Sequence, residues 1–539
     1  MKIPSETTKK NVADNRQKQI NGVSRRNFLQ LSAGATALGV GTSLLGCKNK
    51  QKNTTVTSPD NIEKNTGIKM EKLESFGIST AIATKLMAAA LSTGGDYCDL
   101  YFQRKKSMWL SLEDNSVNKA YTNIDMGVGI RVLKGMQTGY AFSESFDEKS
   151  LLSAAKIAAS VANSTPGKIP QAFKASTFKK YYPDYPVCSQ LNPNKKLKII
   201  KNLEDKIFKK DKRIKKVKVY YSDSEEEVFI MDSQGRSGYD YRPMASLITS
   251  CVAENNNRRE ANYYRTATRK GPQLFTSAKI DDIANQAVNR TVILFDSIAG
   301  PVGEMEVVLG PGSSGILLHE AIGHGMEADF ARKKITIYTD KLNEKVAPEF
   351  VNIYDDGCLD NMRGSINMDD EGNNSQKTQL VENGIFKTFM HDKLSARHFG
   401  VKPTGNGRRQ SFRHMPLPRM RNTYMTSGPH KPEDIIKSVK KGIYAQTFTN
   451  GQVMIGAGDF TFYVKTGYLI EDGKITTPVK DVNIIGNGPE VLADIKMVGN
   501  DSKLDDGSWT CGKGGQSVPV GLGIPTVKVG KITVGGTAQ

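Results

Sequence analysis

The run His319-Glu320-Ala321-Ile322-Gly323-His324 holds two of the chain's six histidines, with a carboxylate beside the first. Neutral imidazoles are good zinc ligands, and a glutamate next to such a pair can take the proton from a metal-bound water. This is the minimum equipment for metal-assisted hydrolysis. In the familiar zinc-protease pattern the histidines lie four apart, on one helix face. Here they lie five apart, and five steps at 3.6 residues per turn rotate the second side chain by about 140°. A regular helix cannot bring both to one metal, so the segment must be distorted. Gly323 and Gly325 flank His324, and glycine permits overwinding, a π-bulge or an early helix exit at that point. The same pattern also arises as two polar residues on an amphipathic helix with no ligand role.

The elements around the pair must hold it still. Met305 to Leu309 reads as a strand, the glycine- and serine-rich 310–315 as a turn, and Ser313 or Ser314 as a cap for the histidine helix. A helix start held by a strand is the rigid support that a metal site requires. Further strands are expected at 453–455, 460–464 and 526–529, which makes the second half β-rich. The first half alternates helices over 81–91, 147–162 and 195–210 with strands at 99–103, 108–112, 128–132, 217–221, 228–231 and 247–252. Small residues and Pro301 break the pattern near 297–301. The expected fold class is α+β, with a mixed α/β N-terminal domain over 68–300 followed by a β-rich C-terminal domain over 301–539 that carries the metal-site helix.

A chain of 539 residues with 38% hydrophobic content can bury large cores. Its N-terminus reads as an address. Arg25-Arg26 before a weakly apolar run resembles a twin-arginine export signal, and Leu44-Leu45-Gly46-Cys47 resembles a bacterial lipoprotein cleavage box. The reading is a signal over 1–46, lipidation at Cys47 and a polar tether over 47–67, which puts the body on the periplasmic or cell-surface face of a bacterial membrane, lipid-anchored. An uncleaved anchor or a plain signal peptide is the alternative. The net charge of +19 is partly concentrated between Lys195 and Lys218, where lysines alternate with Leu197, Ile200, Leu203 and Ile207 as on an amphipathic surface helix. That run lacks interleaved aromatics and any recognised reading motif, so no nucleic-acid partner is expected.

Several stretches of the second half resemble the TldD family of zinc peptidases: 303–330, Arg363-Gly364-Ser365 with Asp369-Asp370-Glu371-Gly372, 403–409, 415–424, 497–501 and 510–521. The resemblance implies zinc bound by His319, His324 and Cys511. It also implies proteolysis of small or unfolded peptides in a chamber of paired subunits, as a homodimer or a heterodimer with a related chain lacking the metal motif. The export signal departs from the family's usual cytoplasmic pattern. Three protein donors with nitrogen and sulfur atoms suit a catalytic zinc. Cys511 sits in what reads as a glycine-rich loop, where Lys513 would favour its thiolate. Cys98, Cys188, Cys251 and Cys358 read as ordinary thiols.

On this reading Glu320 accepts the proton of a zinc-bound water and passes it to the leaving amine. Glu327 either orients an imidazole or is a surface carboxylate. His414 and Tyr424 are candidates to stabilise an oxyanion, and Arg408 and Arg409 to meet a peptide carboxylate. The alternatives are another metal-dependent amidase, or a membrane-tethered binding or assembly protein whose structural zinc is closed by a fourth donor such as Cys358, His391 or His414.

Overall fold

The computed structural model describes residues 71–165, 168–507 and 509–536. The proposed signal, Cys47 and the tether lie outside the described residues. The first sheet contains β1 (Tyr97–Glu113), β2 (Ser116–Lys134), β3 (Gln137–Ser143), β4 (Lys174–Ala175), β5 (Ile214–Asp232), β6 (Arg236–Asn255) and β7 (Arg258–Thr268). Their order is β3-β2-β1-β5-β6-β4, with β7 also paired to β6. β4 runs parallel to β6 and the other pairs are antiparallel.

Two of these strands are longer than the apolar pattern predicts. Segments 99–103 and 108–112 belong to one strand, as do 217–221 and 228–231. The cause is electrostatic. Arg104, Lys105 and Lys106 of β1 lie opposite Glu227, Glu226 and Glu225 of β5, so charge runs that look like interruptions are cross-strand pairs of opposite sign.

Four helices cover one face: α1 (Thr80–Leu91), α2 (Glu148–Ala159), α3 (Pro193–Lys210) and α4 (Ser277–Val292). Each begins where the side chain of a capping residue, Ser79, Asp147, Asn192 and Thr276 respectively, accepts a backbone N–H from three residues on. α1 and α2 bury their apolar stripes on Leu100 and Phe102 of β1, while α3 and α4 bury theirs on Leu110 and Leu112. Sequence reading missed α4 and β7. The helix was nonetheless legible in Ile280, Ile283, Ala284, Ala287 and Val288, all buried and spaced for one helix face.

Because side chains alternate along a strand, Asp99, Tyr101 and Gln103 point away from these helices. They are buried too, against the second half of the chain. Arg131 pairs with Asp99 (Nε to Oδ2, 2.7 Å) and with Glu371 (2.6 Å), Arg242 pairs with Asp370 (2.6 Å), and Arg409 reaches Asp99 (3.3 Å). The helix-covered face of the sheet is thus apolar, while the other combines an ionic seam with a small apolar cluster of Tyr101, Val228 and Ile230 against Met368 and Phe412.

In the second half, strands Gly303–Leu309, Lys441–Met454, Asp459–Glu471, Lys474–Asn487 and Val527–Gly536 are hydrogen-bonded in succession. The last, paired with Lys474–Asn487, also bonds to Gly303–Leu309, which closes a ring. A six-stranded sheet alongside includes Ile353–Asp356, Asn422–Met425 and Gly521–Ile524. Among the described residues, every sheet takes its strands either from the part ending at Thr268 or from Ile298 onward. The fold is α+β, with a β-rich second half.

Candidate metal centre

The strand Gly303–Leu309 delivers the chain through a short turn into the histidine segment. Neither serine caps it. Ser314 gives its hydroxyl to the Gly310 carbonyl and Ser313 to that of Gln446, because a single 3-10 turn intervenes before the helix. Leu318–Gly323 then forms a π-helical turn in which the N–H of His324 donates to the carbonyl of His319. This five-residue hydrogen bond is the distortion that the spacing demands. It brings the two imidazoles to 5.1 Å between ring centres, nearly perpendicular at 82°.

Glycine contributes differently from what sequence reading expects. Gly323 has φ −57° and ψ −49°, which any residue adopts. What it supplies is room: a Cβ there would lie 2.1 Å from the sulfur of Met420, itself fully buried. Gly323→Ala is expected to cost about 1–3 kcal/mol through overpacking. Denaturant unfolding measures this, and an unchanged midpoint would contradict the steric account.

Cys511 approaches from the opposite side on a β-hairpin, Thr510–Lys513 paired with Gln516–Pro519, rather than on an irregular loop. Gly514 (φ 57°) and Gly515 (φ 74°) make its two-residue turn with the positive φ angles of a type I′ bend. Alternation then turns Cys511 and Val518 inward and leaves Gly512 and Ser517 exposed. Arg419, buried below, donates to the carbonyls of Cys511 and Gln516, and Arg408 donates to those of Met420 and Pro519.

His319, His324 and Cys511 therefore converge. Their ligand atoms all lie within 4.8 Å of one another, and Cys511 Sγ is 3.4 Å from His324 Nε2. Donors at ordinary zinc bond lengths around a tetrahedron sit about 3.5 Å apart, the separation of Cys511 from His324, so the trio's chemistry and placement suit zinc. All three are buried, and among the described residues His319 Nδ1 has no hydrogen-bond partner. Among the described residues this is the one cluster of three or more histidine, cysteine or acidic side chains suited to a metal; Cys358, His391 and His414 are not in it.

The electrostatics favour ligation. Burial opposes ionisation of Cys511, but His324, His319 and then Arg419 override it and hold the thiol well below its usual range. Lys513 is not the thiol's cation; its ammonium points to Glu327 and Asp329. Burial likewise opposes charge on His324, while Cys511 and Glu327 raise its affinity for a proton. Glu327 Oε2 lies 2.8 Å from His324 Nδ1 and the residue is wholly buried, so it orients an imidazole and is not a surface carboxylate. With Nδ1 held by Glu327, Nε2 is the ring nitrogen that faces Cys511.

Glu320 has an oxygen 3.9 Å from His324 Nε2, and its side chain is 20% exposed, the most open member of the group. Burial raises its carboxyl above the ordinary value. The other predicted residues sit elsewhere. Tyr424 donates to Asp356 (3.3 Å), and His414 Nδ1 pairs with Ser411 Oγ (3.0 Å). Arg408 and Arg409 are buried, the first on backbone carbonyls and the second in the ionic seam. The donors of both guanidiniums are directed into the protein.

Three family descriptions match consecutive parts of the chain: PmbA/TldA metallopeptidase domain 1 over 98–162, the central domain over 187–295 and the C-terminal domain over 302–536. The chain is 42% identical over 449 residues to a metalloprotease TldD homolog of Haemophilus influenzae, covering 82% of this chain and 93% of the relative. It is 38% identical over 235 residues to a zinc metalloprotease TldD homolog of Saccharolobus solfataricus, covering 43% of this chain and 52% of the relative. The crystal structure of TldE from Thermococcus kodakarensis shares the fold, with a TM-score of 0.68 at 20% identity, covering 84% of this chain and all of that one. Sequence, domain order and fold together make this chain a member of the PmbA/TldD family of metallopeptidases.

Proposed function

We propose that the protein is a zinc-dependent peptidase acting on small or unfolded peptides, with His319, His324 and Cys511 as metal ligands and Glu320 as general base. The observation that carries this reading is the buried trio of donors with one carboxylate at its open edge. Zinc, when bound, supplies Lewis acidity to water and to the substrate carbonyl. Glu320 takes a proton on its carboxylate from the attacking water and delivers it to the leaving amine. Its raised proton affinity suits that exchange, since an acid must be formed before it can be spent. Glu327 keeps the His324 ring in one orientation throughout. A closed structural site would call for a fourth protein donor, and the cluster contributes three. The test is incubation of purified protein, zinc-loaded and chelator-stripped, with a diverse library of unfolded peptides. Cleavage by the loaded form alone is expected; no cleavage by either would overturn the reading.

The protein is further proposed to act outside the cytoplasm on a lipid anchor at Cys47, as one member of a homodimer or of a heterodimer with a related chain. The support is the paired arginines and the Leu-Leu-Gly-Cys box. Cys47→Ala is expected to move the protein from the membrane fraction to the soluble one while leaving peptide hydrolysis intact. Unchanged membrane association of the variant would refute the anchor, and the mass of the detergent-purified protein reads the pairing.

A further inference from the structure

Lys513 stands two residues beyond Cys511, on the same hairpin strand. Its side chain is 7% exposed, and its ammonium nitrogen meets Glu327 Oε2 at 3.0 Å, Asp329 Oδ1 at 2.6 Å and the Pro418 carbonyl at 3.0 Å. An ammonium has three N–H donors, and these three acceptors use all of them. The ring of Phe330 lies 4.2 Å away. Glu327 and Asp329 belong to the other arm of the site, just past His324. Glu327 Oε2 is also the oxygen that receives His324 Nδ1. A continuous chain therefore runs from the thiol's hairpin, through one buried cation, to the imidazole that faces the thiol.

We propose that Lys513 is a positioning residue for the metal centre: it clamps the cysteine-bearing hairpin to the histidine-bearing segment and so sets the separation of Cys511 from His324. The inference rests on the metallopeptidase reading above. The hairpin needs such a clamp, because it forms its own two-stranded sheet and its outward residues Gly512, Gly514 and Gly515 pack little. The arginine contacts from Arg408 and Arg419 reach only its backbone carbonyls. Beside the contact of Cys511 with His324, Lys513 supplies the hairpin's ionic link to the segment carrying the imidazoles. Without it, two buried carboxylates would face each other and the hairpin would lose its ionic tie to the histidine-bearing segment. The chemistry needs a cation of lysine's reach and three-way geometry, since a planar guanidinium cannot direct donors to three acceptors placed around one nitrogen.

The test is titration of metal-stripped, full-length protein with cobalt(II) and with zinc. Cobalt bound by a thiolate gives a sulfur-to-metal charge-transfer band, which reports the Cys511 bond directly and does not depend on peptide hydrolysis. Lys513→Met is expected to bind both metals about 10–100-fold more weakly, the range typical of outer partners of metal ligands, and to lose most of the charge-transfer intensity per bound cobalt. A residue that only stabilised the fold would lower the unfolding midpoint and leave that intensity intact, which would overturn the proposal. Should Lys513→Met fail to fold, Asp329→Asn weakens the same clamp while keeping its shape; about 10-fold weaker metal binding with a reduced band is expected, and native values would overturn it. Absence of the band in the unsubstituted protein would instead defeat the metal-centre reading on which the clamp depends.

Discussion

Glu320→Gln protein is expected to carry its full complement of zinc and to hydrolyse peptides about 10²–10⁴-fold more slowly, the usual contribution of a positioned general base. The amide keeps the shape of the carboxylate and cannot accept a proton. Glu320 is outside the trio of donors, so metal content should not fall. Metal analysis and single-turnover kinetics on the same preparation separate the two effects. Hydrolysis at the native rate would remove Glu320 from the mechanism, and loss of zinc would make it a ligand instead.

Loss of a donor should have the opposite signature. Cys511→Ser and His324→Ala are each expected to weaken zinc by more than about 100-fold, beyond the range for outer partners, and to lose activity with the metal. They should differ in stability. Cys511→Ser replaces one small polar side chain by another, whereas His324→Ala removes one of the two partners of the buried Glu327 Oε2 and leaves it Lys513 alone. Losing a hydrogen bond to a buried charged group costs about 1.5–3 kcal/mol, so the histidine variant should also unfold earlier in denaturant. Equal zinc affinity in the Cys511→Ser and native proteins would break the assignment of the third ligand.

What could be read in the sequence was local. The five-residue spacing demanded a bent turn, and a π turn is what connects His319 to His324. The helix start at Ser79 is legible as a capping residue, while Asp147, which reads as the first helical residue, is the cap of its helix. Cys511 came into the site through resemblance to relatives, because nothing near it in sequence reveals imidazoles more than 180 residues away. The errors share one origin. Lys513 sits beside the thiol in sequence yet turns to Glu327 and Asp329; Arg408 and Arg409 look like exposed cations yet enter the interior. The lysine run of β1 looks like a loop until the glutamates of β5 lie opposite it. In each case the partner that decides the side chain's fate is distant in the chain, and a charged residue read alone defaults to solvent.

The ionic seam between the first sheet and the second half has an evolutionary consequence. Asp99, Arg131 and Arg242 on one side are matched to Glu371, Asp370 and Arg409 on the other, in surroundings that exclude water. A buried ion deprived of its counterpart is strongly destabilising. Chimeras that join the front of one family member to the back of another must therefore inherit both sets together, and recombination at the middle of the gene is tolerated only between parents that share this lock.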